Sequence, residues 1–292
     1  MEETHAGHRV EVESDKRDPA DFALWKHAHS DRRMKWPSPW GDGFPGWHIE
    51  CSAMSIKHLG ERFDVHTGGI DLKFPHHEDE IAQSEGALGH PVVSVWMHGE
   101  FLTTGDAKMA KSAGNIIRVA ELPDLGHEPL TFRYLALTAH YRSKLDFTAD
   151  AMHAAASGLA RLRRAAAAPE EAVDLTDEPV ARYRARFADA IADDLATPKA
   201  LATAHEVASA ADLDDAQRRA LLLDFDRVLG LDLGVAPEEA PLPDDAADLL
   251  ERRAAARSAR DYAASDALRD ELAAIGVEVR DTPDGQEATV RR

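Results

Sequence analysis

The residues best placed to do chemistry are a thiol, an imidazole, a carboxylate and a pair of lysines, all in the first half of the chain. Cys51, the only cysteine, lies in Gly46-Trp47-His48-Ile49-Glu50-Cys51-Ser52. Downstream, Phe74-Pro75-His76-His77-Glu78-Asp79-Glu80-Ile81 opens a run with helical character. Pro75 suits the first turn of a helix, where its missing N–H costs nothing. His76 and Glu80, at i and i+4, then project from one helical face. A thiolate, an imidazole and a carboxylate are three ligands that Zn²⁺ accepts. The same letters also describe solvated helix residues and a small buried thiol, so the surrounding stretches must decide. His77 points about 100° away from His76 on ideal helix geometry, which assigns it a packing or supporting role. Farther on, Lys108-Met109-Ala110-Lys111-Ser112 sets two lysines in a glycine-bounded loop that can close on an anionic ligand.

Three stretches, GWHIECSAMS, HTGGIDLKFPHHEDEIAQSE and WMHGEFLTTGDAKMAKSAGN, closely resemble consecutive signatures of the cysteinyl-tRNA synthetases, a family of class I aminoacyl-tRNA synthetases. Order and spacing agree, and the likeness continues to the C-terminus. The resemblance implies an ATP-dependent cysteine–tRNA ligase with one Zn²⁺ held by Cys51, His76 and Glu80. It implies that Trp47 lies against the substrate and that His66 and Asp71 reach the cysteine and its adenylate. Lys111 would contact the phosphates of ATP with Lys108 in support, stabilising charge during transfer. The implied partners are tRNA for cysteine, L-cysteine and ATP. A soft metal that binds a thiolate would explain selection against serine without relying on size.

The sequence also departs from the family pattern. Thr67 replaces the first of three glycines after His66, and Ala110 replaces a serine between the two lysines. The family's first half, with a His-Ile-Gly-His motif and another zinc-binding cysteine, has no counterpart. His5-Ala6-Gly7-His8 imitates the letters, but no apolar strand precedes it. The expectation is an N-terminally incomplete ligase, with the first half conceivable as a separate chain and stand-alone adenylation impaired. Rival readings are a ligase joining cysteine to an amino-sugar in mycothiol synthesis, a non-catalytic tRNA-binding remnant, and a zinc hydrolase. DDLATPKAL and the final hairpin speak against the first, the metal trio and lysine loop against the second. A hydrolase would not need the lysines.

These residues need elements to position them. With 292 residues and 44% hydrophobic content, the chain can build more than one core. No long apolar run suggests a membrane span, and the polar start is unlike a secretory signal. A single cysteine fits a reducing cytoplasm. The net charge of −19 means that a tRNA partner needs local basic faces. Asp18 and Pro19 predict a helix start. Residues 34–47, rich in Pro, Gly and Trp, predict a rigid loop in which Trp36 and Trp40, like Trp25 before it, pack. Trp47 to Leu59 reads as the helix that carries Cys51, and Arg62–His66 as a strand. His76–Leu88 reads as the metal helix, and Val92–Trp96 as a second strand.

The expected fold is an α/β catalytic remnant, the second half of a class I Rossmann-type domain, followed by an α-helical bundle and a small α+β C-terminal module. Residues 1–118 hold the partial catalytic domain and 119–147 a connecting helical region. From about Thr148, apolar residues at three-to-four spacing (Met152, Ala155, Leu159, Leu162, then Val180, Tyr183, Phe187, Ile191) predict a bundle over 148–233. Residues 234–244 carry three prolines and read as a linker. Residues 245–292 read as two helices and a hairpin around Pro283-Asp284-Gly285. By resemblance they form the anticodon-recognition module. Arginines 252, 253, 257, 260, 269, 280, 291 and 292 gather there, interleaved with acids as solvated charge.

Overall fold

A computed structural model describes residues 17–18, 21–104, 107–108, 117–235, 243, 245–282 and 285–290. They fall into two compact units, one up to Thr103 together with Tyr141–Leu145, the other from Thr104–His140 together with Asp146 onward.

The first unit opens with a correction. Instead of a helix after Asp18, strand β1 (Trp25–His27) pairs antiparallel with β2 (Gly43–Pro45), Trp25 opposite Pro45 and His27 opposite Gly43. Gly43 makes this pairing possible, because a Cβ there would stand 2.0 Å from Trp25 Nε1. Tertiary pairing outweighs the local helix signal. Trp40 does not pack either, being 77% exposed, and Trp36 is half exposed with its backbone bridged to Gly43.

Helix α1 spans Trp47–Leu59, the predicted range. Strands β3 (Phe63–Gly69) and β4 (Val93–Gly99) run parallel, with His66 opposite Trp96 and Gly68 opposite His98. Between them come a 3₁₀ turn (Ile70–Leu72), a wide turn (Lys73–His77) and helix α2 (Glu78–Leu88). The wide turn is broken at Phe74, whose φ of −139° and ψ of 133° are extended. A residue before proline is pushed out of helical geometry by the proline ring, so the helix cannot begin earlier. From His76 on, the backbone is helical and continuous with α2, and Gly89 in the left-handed region ends it. Strand, helix and parallel strand form a crossover unit, and α1 packs beside α2. Strand β5 (Leu102–Thr104) follows, then the two-residue β6 (Ala107–Lys108) and, farther on, β7 (Leu145–Asp146). Glu100 N–H donates to Tyr141 O and Leu145 N–H to Phe101 O, which ties residues 141–145 into this unit.

The second unit is mostly helical. It contains α3 (Pro129–Leu137), α4 (Ala149–Ala165), α5 (Val180–Ala192), α6 (Thr197–Val207) and α7 (Asp215–Leu229). Met152, Ala155, Leu159 and Leu162 bury one face of α4, while Phe187 of α5 stacks on Phe225 of α7 with centroids 4.1 Å apart. Each fully buried Leu or Phe removes enough apolar surface from water to contribute about 1.5–3 kcal/mol. Asp214 and Gln217 cap α7 reciprocally and Gly230 ends it. Helix α3 meets α6 where Tyr134 Oη lies 2.5 Å from His205 Nε2. It meets α4 where Tyr134 presses on Gly158, at which a Cβ would stand 2.2 Å from the phenol oxygen.

Helices α8 (Ala246–Ser258) and α9 (Tyr262–Ala274) pair, and the hairpin β8 (Val277–Thr282) and β9 (Gly285–Val290) packs on them. Ala246, Leu272, Val277 and Val279 form the shared core. Arg253 corrects the expectation of uniformly solvated arginines. It is fully buried and reaches Asp281 at 2.9 Å and Gln286 Oε1 at 2.7 Å. Arg257 and Arg269 converge on the same carboxylate. Among the described residues no helix is long and apolar enough to cross a membrane.

Candidate functional site

The crossover unit and α1 bring the predicted ligands together. Cys51 sits one turn into α1, His76 at the end of the wide turn, and Glu80 in the first turn of α2. One donor atom from each (Sγ, a ring nitrogen, a carboxylate oxygen) lies within 4.8 Å of the other two. His76 and Glu80 are buried, and Cys51 is partly so. His76 Nε2 stands 2.9 Å from Glu80 Oε1. That oxygen is nevertheless buried without a hydrogen bond, so the contact is close but not directed along an N–H. An orphaned buried carboxylate oxygen facing a thiol and an imidazole is the arrangement a cation would satisfy.

The electrostatics agree. Burial raises the Glu80 carboxyl to about 7, and burial together with Glu80 and Glu50 raises the Cys51 thiol. Burial, reinforced by His48 and His66, lowers His76 and so favours its neutral form. Without a cation the two acidic groups resist ionising, and a divalent cation inverts that preference. The donor set therefore fits Zn²⁺.

Four more histidines surround this group. His66, at the middle of β3, has Nε2 3.5 Å from Glu80 Oε2. His66, His77 and Glu80 form a second set of donors within 4.8 Å, so Glu80 belongs to both groups. His77 is more than packing: Nδ1 lies 2.9 Å from His98 Nε2, and burial with the adjoining histidines drives it down to about 4. Gly68 allows this, since a Cβ there would meet the His77 ring at 2.7 Å. The fourth is His48, in the first turn of α1. Its Nδ1 lies 2.5 Å from His76 Nδ1 and its Nε2 lies 3.3 Å from Asp79 Oδ2.

Trp47 is 57% exposed and its ring lies over that of His76, centroids 4.1 Å apart. It thus forms an open wall beside the donors. Asp71, in the turn after β3, folds its carboxylate back over Gly69 and joins neither donor group. Lys108 lies in β6, and Lys111 falls outside the described residues. His48, Asp79 and His98 were not singled out from the sequence. The available signal for His48 was its i, i+3 spacing to Cys51, which puts both on one side of α1.

Comparison with known proteins places the chain in a family. Residues 1–157 match the model for the tRNA synthetases class I (C) catalytic domain, and residues 239–288 that for the cysteinyl-tRNA ligase anticodon binding domain. The chain is 45% identical to a cysteine–tRNA ligase of Halorhodospira halophila, over 98% of this chain and 64% of that protein. It is 46% identical to the one from Alkalilimnicola ehrlichii, again over 98% and 64%. A 44% match to the Thermus thermophilus ligase covers 98% and 63%. The chain thus spans a little under two thirds of the length of these relatives. A solved LeuRS–tRNA–LeuAMS complex of Agrobacterium radiobacter K84 matches 68% of this chain and 32% of that one, at 15% identity and a TM-score of 0.47. With more than half of its residues matched by the catalytic-domain model, the chain belongs to the family of class I (C) tRNA synthetases.

Proposed function

We propose that this chain acts in the ATP-dependent ligation of cysteine to its tRNA in the cytoplasm, with Cys51, His76 and Glu80 holding one Zn²⁺. Cysteine and ATP would give cysteinyl-adenylate and pyrophosphate, and the acyl group would then pass to a terminal ribose hydroxyl of the tRNA with release of AMP. The observation that carries the reading is the convergence of those three donors to within 4.8 Å inside the family's catalytic domain. When bound, the metal would supply a soft Lewis-acid position that prefers a thiolate to a hydroxyl. Trp47 would wall the amino-acid pocket, with His66 and Asp71 on the strand side towards the substrate. Lys108 and Lys111 would neutralise charge on the phosphates during transfer. Residues 1–118 would carry the catalytic part, 119–147 the connection, 148–233 the helical bundle on the anticodon side, and 245–292 anticodon recognition beyond a linker at 234–244.

The test uses the full chain loaded with Co²⁺ as a spectroscopic stand-in. The expected result is one ion per chain and a sulfur-to-metal charge-transfer band that intensifies with L-cysteine and not with L-serine. Failure to bind one ion, or an equal response to both amino acids, would overturn the reading.

A further inference from the structure

We propose that His48 is a positioning residue for His76, held in turn by Asp79, and that this ordered trio presents His76 Nε2 to the metal. The inference rests on the zinc reading above and goes beyond it, since neither His48 nor Asp79 is among the proposed ligands.

With His48 a neutral imidazole and Asp79 ionised, the contacts leave one consistent order of protons. An ionised Asp79 carboxylate only accepts hydrogen bonds, and its Oδ2 faces His48 Nε2 at 3.3 Å. His48 therefore carries its proton on Nε2. Its Nδ1 is then a bare acceptor, and the atom it faces at 2.5 Å is His76 Nδ1. His76 must accordingly carry its proton on Nδ1, which leaves Nε2 bare. That nitrogen is the one beside Glu80 Oε1, at 2.9 Å. The reverse order would set two lone pairs against each other at Asp79. Metal-bound histidines commonly have their other ring nitrogen fixed by such an outer partner, which selects tautomer and ring orientation.

Packing restricts alternatives. The His48 side chain is 20% exposed, Asp79 13% and His76 5%, so water competes little for these contacts. Trp47 covers one face of the His76 ring and opposes its tipping out. The trio also joins α1 to the start of α2, the two elements that supply Cys51 and Glu80. Its loss would loosen the distance between them as well as the orientation of one ligand.

The experiment measures zinc affinity by chelator competition, and the melting temperature of the metal-free chain, for wild type, His48→Ala, His48→Gln, Asp79→Ala and the His48→Ala/Asp79→Ala pair. His48→Ala should lower zinc affinity about 10–100-fold, while the metal-free chain stays folded with a melting temperature lowered only by the loosened joint between α1 and α2. His48→Gln should recover most of the loss, because its amide can accept from His76 and donate to Asp79. Asp79→Ala should cost less in the His48→Ala background than in the wild type. A measurement free of any variant is ¹H–¹⁵N correlation of the imidazoles in the zinc-loaded wild type. It should show His76 protonated at Nδ1 and metal-bound through Nε2. Unchanged affinity in a folded His48→Ala chain, or ligation through Nδ1, would overturn this proposal alone. A wild type that binds no zinc would overturn the metal reading and this one with it.

Discussion

Glu80 is shared between two sets of donors, one completed by Cys51 and His76, the other by His66 and His77. Zinc chemistry separates them, because a thiolate contributes more to a soft cation than a second imidazole does. Cys51→Ala should therefore weaken zinc binding by more than about 100-fold, beyond what loss of an outer partner costs. His77→Asn should weaken it by less than about 10-fold. Chelator competition on both variants checks this, and a larger loss in His77→Asn would assign the metal to the second set. The convergence of Cys51, His76 and Glu80 was legible because the i, i+4 pair is local and the flanking stretches resemble a known family; the local letters alone left a solvated helix face open. His48 and Asp79 were not legible. Their role depends on which ring nitrogen faces which neighbour across two helices, and spacing along one chain does not carry that.

Helices α3, α4 and α6 meet at Tyr134, and both partners there give measurable consequences. Gly158→Ala would bring a methyl group within 2.2 Å of the phenol oxygen and 2.6 Å of its ring carbon. A rigid ring cannot yield as a flexible chain end does, so the variant should lose about 1–3 kcal/mol in urea unfolding. His205, at the same joint, is lowered from its ordinary 6.5 by burial and then by Arg161. Its unfolded form thus binds a proton more readily than the folded one, and stability falls as pH drops through 6.5 towards the lower folded value. Between pH 7.5 and 5.5 the wild type should lose more melting temperature than His205→Gln, which keeps an acceptor for Tyr134 without titrating. Equal losses would show that another group carries the pH dependence. Helix periodicity over Met152–Leu162 was readable because α4 buries one apolar face. The β1 segment was not, since the space above Gly43 that admits Trp25 exists only once the two strands have met.

Over the whole chain, a net charge of −19 would have to coexist with the polyanionic partner proposed above. Binding of tRNA for cysteine by the full chain should weaken with salt, by about 0.7–0.9 in log K per log salt for each phosphate contacted. A filter-binding series from low to physiological salt measures that slope, and a flat response would argue against phosphate contacts. The C-terminal arginines show why counting charges misleads. Arg253, Arg257 and Arg269 all spend contacts on Asp281, so part of that positive charge is committed to holding the hairpin on its helices. Removing Asp281 strands a buried guanidinium, which is costly wherever it occurs. Asp281→Ala should make residues 245–290 the first part of the chain cut by limited proteolysis, while cleavage elsewhere is unchanged.

All the donors around Glu80, from His48 to His98, come from one continuous stretch of chain closed by the pairing of Glu100 with Tyr141 and Phe101 with Leu145. Contacts between near neighbours in sequence form quickly, and a chain leaving the ribosome folds from its N-terminal side. The proposed metal pocket could therefore assemble and take up an ion during synthesis, as soon as Leu145 has cleared the exit tunnel and before the later helices exist. Zinc supply would then act on the nascent chain, as a requirement of manufacture as well as of turnover.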